Sequence, residues 1–144
     1  MKKIMLIGTV GAGKTTLVQV LKNDLIEYKK TQAIEFDDYI IDTPGEYIEN
    51  KVYYNALITT AVDADVIALV HDSNKQSNSF PPGFGNMFNK EVIGICTKTD
   101  LCEKEENLKV SKEYLFSAGA QDIFCISATN NIGIEELKEY LELN

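Results

Sequence analysis

Residues Gly8–Thr15 read Gly-Thr-Val-Gly-Ala-Gly-Lys-Thr and match the pattern G-x-x-x-x-G-K-[ST] of a phosphate-binding P-loop. An apolar run, Ile4–Ile7, precedes them and a helix-like segment, Thr16–Tyr28, follows. In such a loop backbone N–H groups point at a polyphosphate, the lysine brings positive charge to the outer phosphates, and the last hydroxyl ligates magnesium. The stretch predicts a nucleotide site; the alternative is a glycine-rich turn at an unrelated strand–helix junction. The predicted nucleotide contacts here are Gly8, Gly11, Ala12, Gly13, Lys14, Thr15 and Thr16.

The composition is that of an acidic globular protein. Its 144 residues predict one domain, 1–144, and the formal net charge of −8 argues against nucleic-acid or membrane-surface partners. The apolar runs have the length of strands, so none of them is expected to cross a membrane. Cys96, Cys102 and Cys125 lack metal-ligand spacing and indicate reduced thiols in a cytoplasmic protein. All fourteen basic residues are lysines, so the chain has no arginine.

Apolar, strand-like runs alternate with helical stretches along the chain. The strands are too apolar for a sheet with one solvent-exposed face, so we expect a three-layer α/β fold with about six mainly parallel strands and helices on both faces. Ligands bind such folds at the carboxyl ends of the strands. The predicted strands are Lys3–Ile7, Ala33–Phe36, Tyr39–Asp42, Val66–Val70, Glu91–Thr97 and Ile123–Ser127. The predicted helices are Lys14–Tyr28, Val52–Val62, Lys104–Ala118 and Gly133–Glu142.

A second motif, Asp42-Thr43-Pro44-Gly45-Glu46, follows the third predicted strand. An apolar strand that ends in Asp is the Walker-B arrangement, in which the carboxylate, here Asp42, supports magnesium, commonly through water. The N–H of Gly45 is expected to contact a γ-phosphate, so that loss of this phosphate would release the following loop, Glu46–Asn50. The alternative is an ordinary strand followed by a Pro-Gly turn.

The predicted base-recognition motif is Cys96-Thr97-Lys98-Thr99-Asp100, at the end of the fifth predicted strand. It resembles the Asn-Lys-x-Asp element of guanine-nucleotide-binding proteins, with Thr97 in place of Asn. In that element the carboxylate, here Asp100, accepts hydrogen bonds from guanine N1–H and the N2 amino group, and the stem of the lysine, here Lys98, packs on the purine. Adenine offers no such pair of donors, so the carboxylate would be left unpaired. The alternative is a polar turn at a strand end.

Two weaker signals complete the predicted site. Ser127-Ala128-Thr129 resembles the Ser-Ala-x element, whose backbone N–H contacts guanine O6, so Ser127 and Ala128 are predicted nucleotide contacts. Thr31 is either a switch threonine that closes on magnesium and the γ-phosphate or an ordinary loop threonine. The predicted metal ligands are Thr15, Thr31 and Asp42, and the predicted catalytic residues are Lys14, Thr31 and Glu46.

These motifs, in this order, resemble the translation-factor-related class of small GTPases over the whole chain. The short interval from Lys14 to Asp42, the sequence Asp-Thr-Pro-Gly-Glu-Tyr and the loop Phe80–Phe84 are similar to the EutP/PduV family. The resemblance implies a minimal Ras-like G domain that binds GTP or GDP with Mg²⁺ in the cytoplasm. It also implies a role in bacterial ethanolamine or propanediol utilisation, in association with the shell or pathway enzymes of a protein microcompartment. The sequence leaves the oligomeric state open.

Slow GTP hydrolysis is expected of the isolated protein. Glu46 stands where Ras-like proteins place a water-orienting glutamine, and its carboxylate adds negative charge beside a polyphosphate. Gly11 occupies the P-loop position at which potassium-activated relatives have asparagine. An arginine finger from the chain itself is impossible, and a lysine lacks the planar fork of arginine.

Two other functions stay open at this stage. One is a small-molecule kinase of the acetate kinase type that uses ATP, which the family resemblance implies, although the chain has no arginine-bearing lid. The other is a nucleotide-regulated binding module with incidental hydrolysis, for which the loop Phe80–Phe84 is the candidate contact. We expect both rings of this loop to be buried, because aromatic side chains mostly are. His71 is interpreted as a polar residue at a strand end.

Overall fold

The computed structural model describes residues 2–22, 33–37 and 39–143. The strands within them are β1 (Ile4–Ile7), β2 (Glu35–Asp37), β3 (Ile40–Asp42), β4 (Val66–Asp72), β5 (Glu91–Thr97) and β6 (Asp122–Cys125). They form one sheet in the order β2-β3-β1-β4-β5-β6. β2 runs antiparallel to β3, and the other neighbouring pairs are parallel. The predicted mainly parallel sheet is therefore confirmed.

The helices of the described residues are α1 (Lys14–Leu21), α2 (Glu46–Glu49), α3 (Tyr54–Ala61), α4 (Glu105–Ser117) and α5 (Ile134–Tyr140). Among these helices none combines the length and the apolar character needed to span a bilayer. Short 3-10 turns lie at Lys51–Tyr53, Phe84–Phe88 and Thr99–Leu101. The part of the first predicted helix beyond Lys22 lies outside the described residues.

Both faces of the sheet are covered, and β1 shows how. Successive side chains of a strand point to opposite faces. Ile4 and Leu6 pack in one apolar cluster with side chains of α1 and α5, whereas Met5 and Ile7 pack in another with side chains of α3 and α4. All four are fully buried. A strand buried on both faces reads as a continuous apolar run, which is why the first strand was visible in the sequence.

Several element boundaries differ from the prediction. The segment Glu46–Asn50 was expected to be a loop, but it contains α2, because Gly45 already has helical angles (φ −59°, ψ −31°) and the Tyr47 N–H bonds to the Pro44 carbonyl at 3.0 Å. β6 ends at Cys125, two residues before the predicted end, because Ser127 pairs its backbone with Ile132 instead. β4 continues past its predicted end at Val70.

The loop Phe80–Phe84 turns into the core, as predicted. Phe80 and Phe84 are 2% and 4% exposed. The ring of Phe84 contacts those of Tyr54 and Phe88 edge to face, each with 5.4 Å between ring centroids. Such aromatic contacts add stability beyond the area they bury. The two rings are part of the apolar cluster beside α3 and α4, so they offer no surface for a partner.

Candidate nucleotide-binding site

The P-loop connects β1 to α1 and has the backbone shape that its glycines allow. Gly11 and Gly13 have φ angles of +82° and +100°, in the left-handed region that other residues rarely adopt. Gly13 is also the N-cap of α1. Because the first N–H groups of a helix have no partner within it, they favour an anion at this position.

The Lys14 side chain folds back across the P-loop. Its Nζ donates to the carbonyl oxygens of Gly8 at 2.7 Å and of Thr9 at 3.3 Å, and the residue is only 6% exposed. Burial lowers the pKa of Lys14, while the nearby carboxylates of Asp42 and Glu49 raise it in part. A polyphosphate would replace the hydration that the buried ammonium group has lost, so this environment favours an anionic ligand.

The Asp42–Gly45 motif lies directly against the P-loop. The register of the sheet pairs Asp42 with Leu6, which lies two residues before the loop begins. A Cβ atom on Gly45 would lie 2.2 Å from the backbone nitrogen of Val10. Since the φ of Gly45 is an ordinary −59°, it is this close approach that requires glycine. The peptide after β3 is therefore held against the second and third residues of the P-loop.

The residues present fit a magnesium ion by ligand chemistry. Mg²⁺ prefers oxygen ligands and retains several waters, so one or two protein oxygens suffice beside phosphate oxygens. Asp42 supplies a carboxylate that is 4% exposed and lies within electrostatic range of Lys14. Thr15 supplies a hydroxyl in the first turn of α1. Both stay predicted ligands, and the third, Thr31, lies outside the described residues.

Thr97, which stands in the Asn position of the base-recognition motif, connects that motif to the P-loop. Its hydroxyl donates to the Ala12 carbonyl at 2.5 Å, with the carbonyl of His71 3.3 Å away. The contact is tight, because a Cβ on Gly13 would lie 3.3 Å from Thr97. The end of β5 is thus fixed to the loop between β1 and α1.

Lys98 makes a second connection to the same loop. Its Nζ donates to the Gly11 carbonyl at 2.8 Å and lies 3.2 Å from a carboxylate oxygen of Asp72. Asn74 donates from its side chain to the Lys98 carbonyl at 3.2 Å and from its backbone to Asp72 at 2.9 Å. These contacts hold Lys98 at a φ of +57°, a left-handed angle that is unusual for lysine.

Asp100 is oriented by the loop that follows β6. The Ser127 hydroxyl donates to one carboxylate oxygen at 2.8 Å, and the Thr129 hydroxyl lies 3.4 Å from the other. The carboxylate remains exposed to solvent. Beside it is a pocket of about 280 Å³, lined by six of the predicted nucleotide contacts: Gly13, Thr16, Thr97, Lys98, Asp100 and Ala128. Their contacts with a nucleotide stay predictions.

Some predicted residues lie apart from this pocket, and some contributors were missed. Glu46 is exposed at the start of α2, on the P-loop side rather than in the pocket. His71 lies within β4, not after it, and is 1% exposed. The pocket also includes Leu101 and Ile126, which the sequence did not single out, and Thr129, which belongs to the Ser-Ala-x motif but was not predicted as a contact. Asp72 and Asn74 were missed as well, because nothing in a short polar turn signals a contact with the next strand.

The sheet order, the helices on both faces and the P-loop between β1 and α1 define a P-loop protein with the fold of the GTPases. The elongation factor SelB from Methanococcus maripaludis, solved in complex with the GTP analogue GppNHp, superimposes with a TM-score of 0.65 at 24% identity. The match covers 98% of this chain and 33% of that one.

The sequence matches the family described as "Ethanolamine utilisation - propanediol utilisation" (PduV-EutP) over residues 1–143, and the chain belongs to this family. It is 43% identical over 141 residues to the propanediol utilization protein PduV of Citrobacter freundii, covering 98% of this chain and 93% of that protein. It is 35% identical over 144 residues to the probable acetate kinase EutP of Escherichia coli K12, covering 98% and 89%. The predicted family is confirmed.

Proposed function

We propose that this protein binds GTP and GDP with Mg²⁺, hydrolyses GTP slowly on its own, and acts in ethanolamine or propanediol utilisation. The observation that carries the proposal is the Asp100 carboxylate at the edge of a pocket that also contains Gly13 of the P-loop and Thr16 of α1. If the base of a nucleotide lay in this pocket, its phosphates would extend along the P-loop at the N-terminus of α1. The structure of SelB, which shares this fold, contains a bound GTP analogue and is consistent with this use of the site.

Guanine is the base that suits the Asp100 carboxylate. Its N1–H and N2 amino group are adjacent donors, and a carboxylate offers two acceptor oxygens at matching spacing. The Ser127 hydroxyl already fixes one of these oxygens, so the carboxylate is oriented before the base arrives. Adenine has an acceptor at N1, and the lone pair of this nitrogen would be repelled by the negative charge of the Asp100 carboxylate. The discrimination expected from such a polar mismatch is several orders of magnitude, about 10⁴-fold in well-built sites.

Slow hydrolysis follows from what surrounds the phosphate side. Catalysis of phosphoryl transfer depends mainly on positioning and on positive charge near the transferred group. Lys14 provides such charge, and bound Mg²⁺ would add to it by neutralising phosphate oxygens. Glu46 is exposed and negatively charged, and no arginine exists in the chain. We therefore propose an intrinsic rate near the roughly 10⁻⁴ s⁻¹ of unassisted Ras-type proteins, to be measured in a single-turnover assay.

Nucleotide specificity tests the binding proposal. Mant-GDP should bind the purified protein with Mg²⁺ present, and GTP but not ATP should displace it. Asp100→Asn presents a donor where guanine also has one, so this variant should lose GTP and gain xanthosine triphosphate. Asp63→Asn, an exposed carboxylate in the turn after α3, is the matched control and should bind as the wild type does. Unchanged GTP affinity in Asp100→Asn would contradict guanine recognition by this residue.

A kinase is the second candidate function, because a relative 35% identical to the chain carries the name probable acetate kinase. Such an enzyme would transfer the γ-phosphate of ATP to acetate, forming acetyl phosphate and ADP. Hydroxylamine trapping of acetyl phosphate measures this directly. If the Asp100→Asn variant still formed acetyl phosphate from ATP, the kinase would be favoured. If this variant lost the binding of GTP, the guanine-nucleotide-binding function would be favoured.

The proposed place of action rests on family membership. We propose that the protein is cytoplasmic and that its nucleotide state controls association with microcompartment shell or pathway proteins, with Glu46–Asn50 as the segment that responds to the γ-phosphate. Gly45, which precedes this segment, packs on the P-loop. The segment therefore begins next to the loop that is proposed to bind the phosphates. Co-purification from cells grown on ethanolamine or propanediol, with GppNHp or GDP in the buffer, tests whether association depends on the nucleotide.

A further inference from the structure

Two lysine ammonium groups reach the same P-loop residue, Thr9. Lys14 Nζ lies 3.3 Å from the Thr9 carbonyl oxygen, and Lys75 Nζ lies 3.5 Å from the Thr9 hydroxyl. Thr9 is 8% exposed, and Lys75 is half-buried in the turn that follows β4. No sequence motif points to this second lysine, since Lys75 lies 66 positions from Thr9 in the chain.

Thr9 lies at the end of the P-loop that would face the terminal phosphate. The reference point is Gly45, whose N–H is the proposed γ-phosphate contact. A Cβ on Gly45 would lie 2.2 Å from the Val10 nitrogen and 2.7 Å from the Thr9 carbonyl carbon. The base pocket lies at the other end of the loop, next to Gly13. Lys75 is therefore on the phosphate side of the site.

The electrostatic surroundings of Lys75 also differ from those of the other two lysines at the P-loop. Lys14 has the carboxylates of Asp42 and Glu49 nearby, and Lys98 is paired with Asp72. The structure pairs Lys75 with no carboxylate in the described ranges 2–22, 33–37 and 39–143. Two ammonium groups brought to one buried residue repel each other, and an anion bound between them would turn this repulsion into attraction.

The backbone of Lys75 is fixed, so its side chain starts from a defined place. The Lys75 N–H bonds to the Asp72 carbonyl at 2.9 Å, and the ring Nε2 of His71 lies 3.1 Å from the Lys75 carbonyl. A carbonyl only accepts, so Nε2 carries the proton in this contact. The His71 ring is buried and stands edge to face on Tyr114, with 5.7 Å between centroids. The buried His71 ring therefore helps to hold the backbone of Lys75 in place.

We propose that Lys75 is a phosphate-binding residue whose ammonium group contacts the terminal phosphate of bound GTP. It places a second point charge beside that of Lys14, without the planar fork that an arginine would bring. Its effect is a higher affinity for the triphosphate than for the diphosphate. The inference rests on the proposed guanine-nucleotide function.

The test compares GppNHp and GDP affinities of the wild type with those of Lys75→Gln, Lys75→Arg and a control. Lys75→Gln should weaken GppNHp binding about five- to tenfold, the size expected for one partly exposed charge-assisted contact, and GDP binding less than twofold. Lys75→Arg keeps the charge and should keep the preference for GppNHp. The control is Lys90→Gln, at the opposite end of the sheet beside the start of β5, which should change neither affinity.

A measurement on the wild-type protein keeps the test valid if Lys75→Gln does not fold. Lysines are acylated with an N-hydroxysuccinimide ester, and the extent at Lys75 and Lys90 is read by mass spectrometry. GppNHp, but not GDP, should protect Lys75 several-fold and leave Lys90 unchanged.

The outcomes separate this inference from the function on which it rests. Equal weakening or equal protection with both nucleotides would mean that Lys75 only supports the loop, and it would overturn the proposal, as would no effect. If the wild type bound no guanine nucleotide at all, the proposed function itself would be contradicted, and the role of Lys75 with it.

Discussion

Thr97 links two halves of the candidate site through one hydroxyl group. The hydroxyl donates to the Ala12 carbonyl of the P-loop from the end of β5, and it is almost completely buried. The asparagine expected at this position is longer and has two donors, so the threonine makes its connection with less reach and one proton. This explains how the motif tolerates the replacement that its sequence shows.

Replacing Thr97 with valine should weaken this connection. Valine keeps the shape but removes the donor, leaving the Ala12 carbonyl without it at a cost of about 1–3 kcal/mol. We expect the free energy of unfolding, measured in urea, to fall by that amount and nucleotide affinity to fall with it. Thr97→Ser keeps the hydroxyl and is the matched control. Equal behaviour of the two variants would show that the hydroxyl contributes little.

Lys14 gives a pH dependence whose sign follows from its burial. Its pKa in the free protein is lowered from the usual 10.5, and a bound polyphosphate raises it again. In the alkaline window below 10.5, a larger fraction of the lysine is neutral in the free protein than in the complex, so binding takes up protons. In the same window the unfolded chain binds more protons than the folded one, so stability rises with pH.

The proton uptake can be measured by titration calorimetry. GDP binding at about pH 9.5, near the usual lysine pKa, should show a heat that depends on the ionisation enthalpy of the buffer, because the lowered pKa of Lys14 rises when the phosphates bind. In Lys14→Arg the side chain cannot lose its proton in this range, so any binding that remains should show no uptake from it. Identical buffer dependence in both proteins would contradict the assignment.

At the scale of elements, the contact that matters most is that between the start of α2 and the P-loop. Gly45 has helical backbone angles, so alanine is acceptable there by conformation, but its Cβ would lie 2.2 Å from the Val10 nitrogen. Backbone atoms on both sides cannot move aside as a flexible side chain would. The two segments must therefore separate if the glycine is replaced.

Gly45→Ala should destabilise the protein and weaken the triphosphate more than the diphosphate. Overpacking of this kind typically costs about 1–3 kcal/mol, which a denaturant titration detects. The separated segments should also place the residue 45 N–H farther from the γ-phosphate. Lys51→Ala, an exposed change in the following 3-10 turn, should alter stability by no more than about 0.5 kcal/mol. A Gly45→Ala protein with unchanged stability would contradict the close contact.

The elements also show how far sequence reasoning reaches. The P-loop, the Asp42–Gly45 motif and the strands of the sheet were visible, because each is a contiguous pattern of residues. The short helix α2 was not, since four residues carry no helical period. The contacts of Asp72 with Lys98 and of Lys75 with Thr9 were not visible either. They join segments that are distant in the chain, and they depend on how the parallel strands of the sheet lie side by side.

For the whole molecule, the site gathers the carboxyl ends of neighbouring parallel strands. β1 leads into the P-loop, β3 leads towards Gly45, β4 ends at Asp72, and β5 leads into Lys98. A ligand that contacts these loops together stabilises the entire fold, because it binds the native state and not the unfolded chain. Stability is therefore a direct measure of which nucleotide fits.

Thermal unfolding with different nucleotides should reveal the preferred base. A ligand at 100 times its Kd adds about 2.7 kcal/mol, which for a domain of this size corresponds to roughly 5–15 °C in Tm. GDP and GTP with Mg²⁺ should produce such a shift, and ATP at the same concentration should produce almost none. The Asp100→Asn variant should lose the shift with GDP. A larger shift with ATP than with GTP would favour the kinase.

The bridges from Thr97 and Lys98 to the P-loop have a consequence for the rate of nucleotide exchange. Both act on carbonyl groups of the loop that is proposed to hold the phosphates, at Ala12 and Gly11, although both belong to the segment that is proposed to hold the base. Loosening the base segment therefore also loosens the phosphate loop. A protein that promotes nucleotide release would need to displace only the surface around Lys98, without contacting the phosphates itself, to lower the barrier for the whole ligand.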